Sequence, residues 1–226
     1  MPEKSYAKAT KPDGSGWRQV AMLLLNAIPL IHLSLTLLIL FASHASLPFR
    51  IVNAILCVYI IPPILARFVV ITLRKKGPYY TTDSNQFLLW WLSLQLQMLF
   101  NRLPFLEEIL RFIPGAYSTW LRLWGSRIGK FTYWSPGVRI LDRSFLDVGD
   151  NVVFGAGVRL NPHVIDRTEN GVSQLALATI QIGSETLVGG YSLLTAGTQI
   201  ESGETVRAFR VSPPFSHWKN GKRITQ

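Results

Sequence analysis

Of the four histidines in this chain of 226 residues, His163 in the segment LNPHVI is the one placed to do chemistry. An imidazole titrates close to neutral pH and so can take up or release a proton under physiological conditions. Three features single it out. It falls in an outward-facing slot of a six-residue repeat, it adjoins the one long interruption of that repeat at residues 166–175, and counting by threes places it in one column with Arg143 and Tyr191. Long excursions from a regular scaffold tend to carry function. His32 and His44 lie in or beside an apolar run, away from such a surface. The single cysteine, Cys57, is also inside an apolar run, so neither a disulfide framework nor a cysteine-based metal site is expected. Only His163 and His217 lie in the C-terminal half, too few for a three-histidine zinc centre, and no metal is expected.

The repeat must position these residues. From Ile128 onward an aliphatic or aromatic residue opens the successive units IGKFTY, WSPGVR, ILDRSF, VGDNVV, FGAGVR, LNPHVI, ALATIQ, IGSETL, VGGYSL, LTAGTQ and IESGET. The fifth position is mostly small or β-branched, as at Thr132, Val138, Val152, Val158 and Thr186. First and fifth residues facing inward, with glycine or a polar residue at the corner, are the signature of a three-sided coil whose stacked turns share one core. Eleven units make three to four coils. Two extra residues, Leu146 and Asp147, and about ten more at 166–175 leave from one corner, and ILDRSF, LNPHVI and VGGYSL are expected to stack there.

The N-terminal half has another character. Residues 20–42 carry no formal charge and, at roughly 1.5 Å per residue, can cross a hydrocarbon layer of about 30 Å. A second apolar run, 47–73, is interrupted by Pro62, Pro63 and Arg67, and the proline pair is expected to kink it. Lys4, Lys8, Lys11 and Arg18 precede the first run and Arg74, Lys75 and Lys76 follow the second. The positive-inside rule then gives a helical hairpin with both termini cytoplasmic. A re-entrant hairpin is the alternative. Arg67 is close enough to Arg74 to snorkel. In residues 84–124 tryptophans and aliphatics alternate with Gln95, Gln97, Arg102, Glu107, Glu108 and Arg111, which suits interfacial helices divided by Pro104 and Pro114. The expected order is a basic N-terminus (1–19), a transmembrane hairpin (20–76), interfacial helices (77–124), a β-helix (125–212) and a basic tail (213–226): an α+β membrane protein. A content of 48% hydrophobic and 16% charged residues with a net charge of +10 fits a basic surface against anionic lipid. It fits nucleic acid poorly, because the basic residues form no aromatic-studded groove.

From about residue 117 to residue 214, with WLRLWGSRIGK as entry and RVSPPF as exit, the chain resembles the hexapeptide-repeat acyltransferases, in a membrane-anchored version. The resemblance implies a left-handed parallel β-helix, a homotrimer with sites between neighbouring prisms, and no permanently bound cofactor. It implies acyl-CoA, acetyl-CoA in most of the family, as co-substrate. A longer acyl chain or an acyl carrier protein donor fits equally the apolar collar that residues 84–124 would form around the base of the β-helix. His163 matches the family's catalytic base, with backbone N–H groups at Gly189 and Gly190 holding the oxyanion and Lys219, Lys222 and Arg223 meeting the donor's phosphates. Asn161, Arg143, Tyr191 and Asp166 are candidates for the acceptor; Asn161, Asp166 or Glu169 for orienting the imidazole. A lipid or lipid-linked saccharide is the expected acceptor, at the inner membrane. A non-catalytic trimeric scaffold is the rival reading.

Overall fold

The computed structural model describes residues 16–42, 44–74, 77–168, 171–224. Lys4, Lys8, Lys11, Lys75, Lys76 and Glu169 lie outside the described residues.

Two helical stretches of 26 and 27 residues, Gly16–Phe41 and Leu47–Leu73, are long and apolar enough to cross a membrane. The first is α1 (Gly16–Leu25) and α2 (Ile28–Phe41), broken just before Pro29. The second is α3 (Leu47–Ile55) and α4 (Ile61–Leu73), joined by one π-helical turn, Leu56–Ile60. The turn has a cause in the sequence: Pro62 and Pro63 lack the N–H groups that would close the preceding turn. Two of the carbonyls there are taken by other elements. His32 bonds the Cys57 carbonyl at 3.1 Å, and Trp120 Nε1 donates to that of Tyr59 at 2.9 Å. His32 therefore has a structural task inside the helix pair.

Beyond β1 (Tyr79–Thr81) lie α5 (Asn85–Arg102), α6 (Phe105–Arg111) and α7 (Ala116–Leu123), and then a prism of three parallel sheets. The first face stacks β2 (Arg127–Ile128), β5 (Leu146–Val148), β10 (Ile180–Ile182), β13 (Gln199–Ile200) and β16 (His217–Lys219). The second stacks β3 (Tyr133–Trp134), β6 (Val153–Phe154), β11 (Leu187–Val188) and β14 (Thr205–Val206). The third stacks β4 (Arg139–Ile140), β7 (Arg159–Asn161), β12 (Leu193–Thr195) and β15 (Val211–Ser212). Every opening residue of the six-residue units points inward, from Ile128, Trp134 and Ile140 to Ile200 and Val206. The coils nearly touch: a Cβ added at Gly183 would stand 2.4 Å from Ser202 N, so only glycine fits there.

The fourth slot of each unit makes the corner, and it adopts left-handed backbone at Phe131, Gly137, Asn151, Gly157, Glu185, Tyr191, Gly197, Gly203, Phe209 and Phe215. Arg143 and His163 occupy the same slot and are not left-handed. At those two corners the chain leaves the coil instead of turning. Register along the first face, Ile128 to Val148 to Ile182 to Ile200, confirms that regular coils take eighteen residues while the first two take two and sixteen more.

That register corrects the unit count. ALATIQ is not a repeat unit; β8 (His163–Arg167) and β9 (Ser173–Leu177) form an antiparallel hairpin that pairs with β1 through β9. Leu175 and Leu177 pack with Val70, Leu73, Phe87 and Trp90 of the helices, while Ala176 and Ile180, the first and fifth residues of ALATIQ, are buried in β9 and β10 and imitate a coil-forming period. The third face consequently aligns Arg159 with Leu193, and LTAGTQ, not VGGYSL, stacks on LNPHVI. At the far end, β17 (Lys222–Ile224) folds back on β16, so the segment expected as a basic tail continues the first face.

Candidate functional site

His163 begins β8 where the chain departs from the third corner, and Asp142, one coil below, meets it. Its Nδ1 lies 2.5 Å from Asp142 Oδ2. The other oxygen, Oδ1, accepts a hydrogen bond from Trp90 Nε1 at 2.9 Å, and the Trp90 ring sits edge-on to the imidazole, centroids 4.9 Å apart. Asp142 is 1% exposed and the His163 side chain 17% exposed. An ionised carboxylate only accepts hydrogen bonds, so the neutral imidazole carries its proton on Nδ1 and presents the Nε2 lone pair. Among the described residues Nε2 has no hydrogen-bond partner. Burial alone would lower the imidazole pKa, but the Asp142 charge and its hydrogen bond outweigh that and hold His163 above the ordinary histidine value.

The supporting helix is α5. Residues 90, 94, 97 and 101 share one face at helical spacing, and that face meets residues 142–145. Arg143, next in sequence to Asp142, turns away from His163 into the collar and is 1% exposed. Its guanidinium bonds Gln97 Oε1 at 3.2 Å, Asn101 Oδ1 at 2.9 Å and Glu107 Oε1, and it lies over the rings of Phe100, Trp120 and Trp124. Glu107 also bonds Arg111 at 3.2 Å and the Tyr117 hydroxyl at 2.5 Å. Burial and then the Glu107 charge push the Tyr117 phenol up, so it remains a donor. Arg143 is thus a pillar between prism and collar, unavailable to an acceptor. The same contacts revise the reason for the polar residues of α5 and α6: Gln97 and Glu107 are buried against the prism and do not face headgroups.

The other sequence candidates separate. Tyr191 does not share a column with His163; its N–H donates to the Ala156 carbonyl, its ring lies against Gly157, and it stacks on Phe209 at 5.4 Å at the corner between the second and third faces. Gly189 is at that corner too, and its N–H is committed to the Val206 carbonyl at 2.7 Å, which removes it as an oxyanion donor. Gly190 approaches the coil below, where an added Cβ would meet the Ala156 carbonyl oxygen at 3.0 Å. Asn161 remains two residues from His163, half-buried, its backbone in register with Thr195. Asp166 is three residues along β8 and so points to the opposite side of the strand; its carboxylate accepts the Arg167 N–H at 2.7 Å. Lys219, Lys222 and Arg223 belong to the terminal hairpin, and Lys219 bonds Glu201 at 3.1 Å.

Sequence reasoning missed Asp142 and Trp90. Asp142 had a signal, because the coil spacing puts it beside Pro162 and hence next to His163. Trp90 lies 52 residues before Asp142 on a separate helix and had none. Two cavities open elsewhere: one of about 280 Å³ beside Arg143 and Glu107, and a groove of about 570 Å³ lined by Arg67, Arg122 and Arg127.

No protein-family model matches this chain, and no curated protein matches it in sequence. Among solved structures, it is similar to a hexapeptide-repeat-containing acetyltransferase from Vibrio cholerae O1 biovar eltor complexed with acetyl coenzyme A, at 13% identity and TM-score 0.39, covering 59% of this chain and 89% of that one. A maltose O-acetyltransferase from Clostridium difficile 630 is similar at 13% identity and TM-score 0.35, covering 66% and 92%. A galactoside acetyltransferase in complex with coenzyme A is similar at 14% identity and TM-score 0.37, covering 70% and 90%. At such distance the chemistry has to be read from His163, Asp142 and Trp90 themselves.

Proposed function

We propose that the chain is a membrane-anchored acyltransferase in which His163 is the general base. The observation that carries this reading is the bond from His163 Nδ1 to a buried carboxylate that is itself held by Trp90. Such an arrangement leaves Nε2 as a fixed acceptor beside the one large excursion of the prism. In the reaction, Nε2 takes the proton of an acceptor hydroxyl as that oxygen attacks the carbonyl carbon of an acyl-CoA thioester. The C–S bond breaks, the new C–O ester bond remains, and the proton passes from Nε2 to the departing thiolate. Asp142 stabilises the imidazolium formed on the way.

The donor class comes from the resemblance of the repeat, together with a left-handed coil and a homotrimer. Support for association is the column of exposed apolar side chains Tyr133, Val153 and Leu187 on the second face. Membrane anchoring is supported by the two long apolar stretches, whose exposed side chains include Leu23, Leu24, Phe41, Phe49 and Phe68. A site tied to these helices favours an acceptor held at the bilayer, a lipid or lipid-linked saccharide, over a freely soluble sugar.

The test is full-length protein in detergent or vesicles, supplied with acetyl-CoA and a membrane lipid extract, with CoA thiol release as readout. His163→Ala is expected to lose activity by about 10²–10⁴-fold. Unchanged release by a variant of unchanged thermal stability and assembly state would remove the proposed base.

A further inference from the structure

The groove of about 570 Å³ lies where α4 meets the first coil, away from His163, and is lined by Arg67, Arg122 and Arg127 with Ser126, Asp150 and Ser184. Arg122 reaches the carbonyls of Ile128 and Gly129, and Arg127 pairs with Asp147. Arg67 makes no hydrogen bond or ion pair among the described residues, although it is exposed. It belongs to the apolar stretch Leu47–Leu73, whose outer surface near it carries the exposed side chains Ile64, Phe68 and Ile71. A fourth guanidinium adjoins the groove at Arg74, which bonds the carbonyls of Gly125 and Ser144. The lining of the groove thus carries three guanidiniums against the carboxylate of Asp150, with Asp147 paired to Arg127 at its edge.

We infer that this groove binds the phosphate of a membrane phospholipid headgroup, with Arg67 and Arg127 as its ligands and the acyl chains lying along Ile64, Phe68 and Ile71. Guanidinium groups suit phosphate oxygens through paired N–H donors. The lipid source follows from position: a free phosphate would need no apolar surface, whereas here the charged groove runs directly into the face of a helix long enough to span a bilayer. Asp150 also lines the groove, its Oδ1 accepting the Lys130 N–H at 2.6 Å, and the three lining guanidiniums outnumber it.

The inference rests on the membrane reading of the two apolar stretches, and the experiment separates the two. Full-length protein is placed in phosphatidylcholine nanodiscs doped with phosphatidylglycerol, and lipid retained after detergent extraction is measured by native mass spectrometry. Wild type should retain phosphatidylglycerol about tenfold more than the double variant Arg67→Gln/Arg127→Gln. Arg67→Lys should keep most of it, and the control Arg139→Gln/Arg159→Gln, on another face, should match wild type. Equal retention in the double variant overturns the groove assignment alone. Failure of wild type to enter nanodiscs overturns the membrane reading and the groove with it. Displacement of the lipid by excess CoA or inorganic phosphate would show that the groove takes a soluble phosphate, and also overturns the inference.

Discussion

The corner between the third and first faces is built in two ways along the same prism. In the last two coils it is a tight turn, with Gly197 and Phe215 in left-handed backbone and the coil closing after six residues. In the first two coils the same slot holds Arg143 and His163, neither left-handed, and the chain runs outward before it resumes. A left-handed corner lays its side chain along the outside of the prism, as Tyr191 does on Phe209. Releasing that constraint lets one side chain turn into the collar and the other begin a strand that meets Asp142. The regular corners close the coils; the two that fail to close supply Arg143 and His163, whose side chains are bound by α5, α6 and Asp142.

The comparison predicts effects of unequal size. The largest should follow Asp142→Asn, which keeps the shape and removes the charge: acyl transfer should fall about 10²–10⁴-fold. The acid limb of kcat/KM should move to lower pH, because the charge that raises the His163 pKa is gone. In wild type the limb should lie above the ordinary histidine value of about 6.5, since only the neutral imidazole accepts a proton. Stability has the opposite sign. The raised folded-state pKa means that the pair's contribution is full below about pH 6.5 and is lost as pH climbs through the raised value. A thermal unfolding series in which wild type and Asp142→Asn diverge at high pH, and converge at pH 6, would contradict it.

Arg143→Met should act on the fold. It leaves Glu107 buried without its principal partner, at a cost of about 3–5 kcal/mol in denaturant unfolding. Any folded fraction should retain the pH limb of wild type; a shifted limb would mean that Arg143 communicates with His163 after all. Trp90→Phe should be milder, about 1–2 kcal/mol from the lost N–H to Asp142, with a small rise in KM or fall in kcat. The smallest effect tests the closed corners: Phe131→Gly relieves left-handed strain and should stabilise by about 1 kcal/mol, a gain that His163→Gly should not show. Equal gains at both positions would erase the distinction between the two kinds of corner.

What the sequence revealed was whatever repeats. Inward residues such as Val148, Phe154 and Leu160 follow a period of six because the same core contact recurs in every coil, and the apolar runs of the N-terminal half announce themselves by length. His163 was found because it breaks that rhythm. Asp142, Trp90 and the true partners of Arg143 depend on contacts between the prism and α5, and no local period encodes them. The misplacement of Tyr191 has the same origin: Ala176 is buried in a hairpin strand and Ile180 in the next face, so ALATIQ shows buried first and fifth residues without being a coil segment.

The strand that starts at His163 is registered to β9, and β9 to Tyr79–Thr81, the strand that follows the long apolar stretches. Backbone ladders of this kind transmit displacement with little slack. Moving β1 against the prism would therefore draw on the imidazole itself, so His163 is held in place from the helical half of the chain as well as from the coil below.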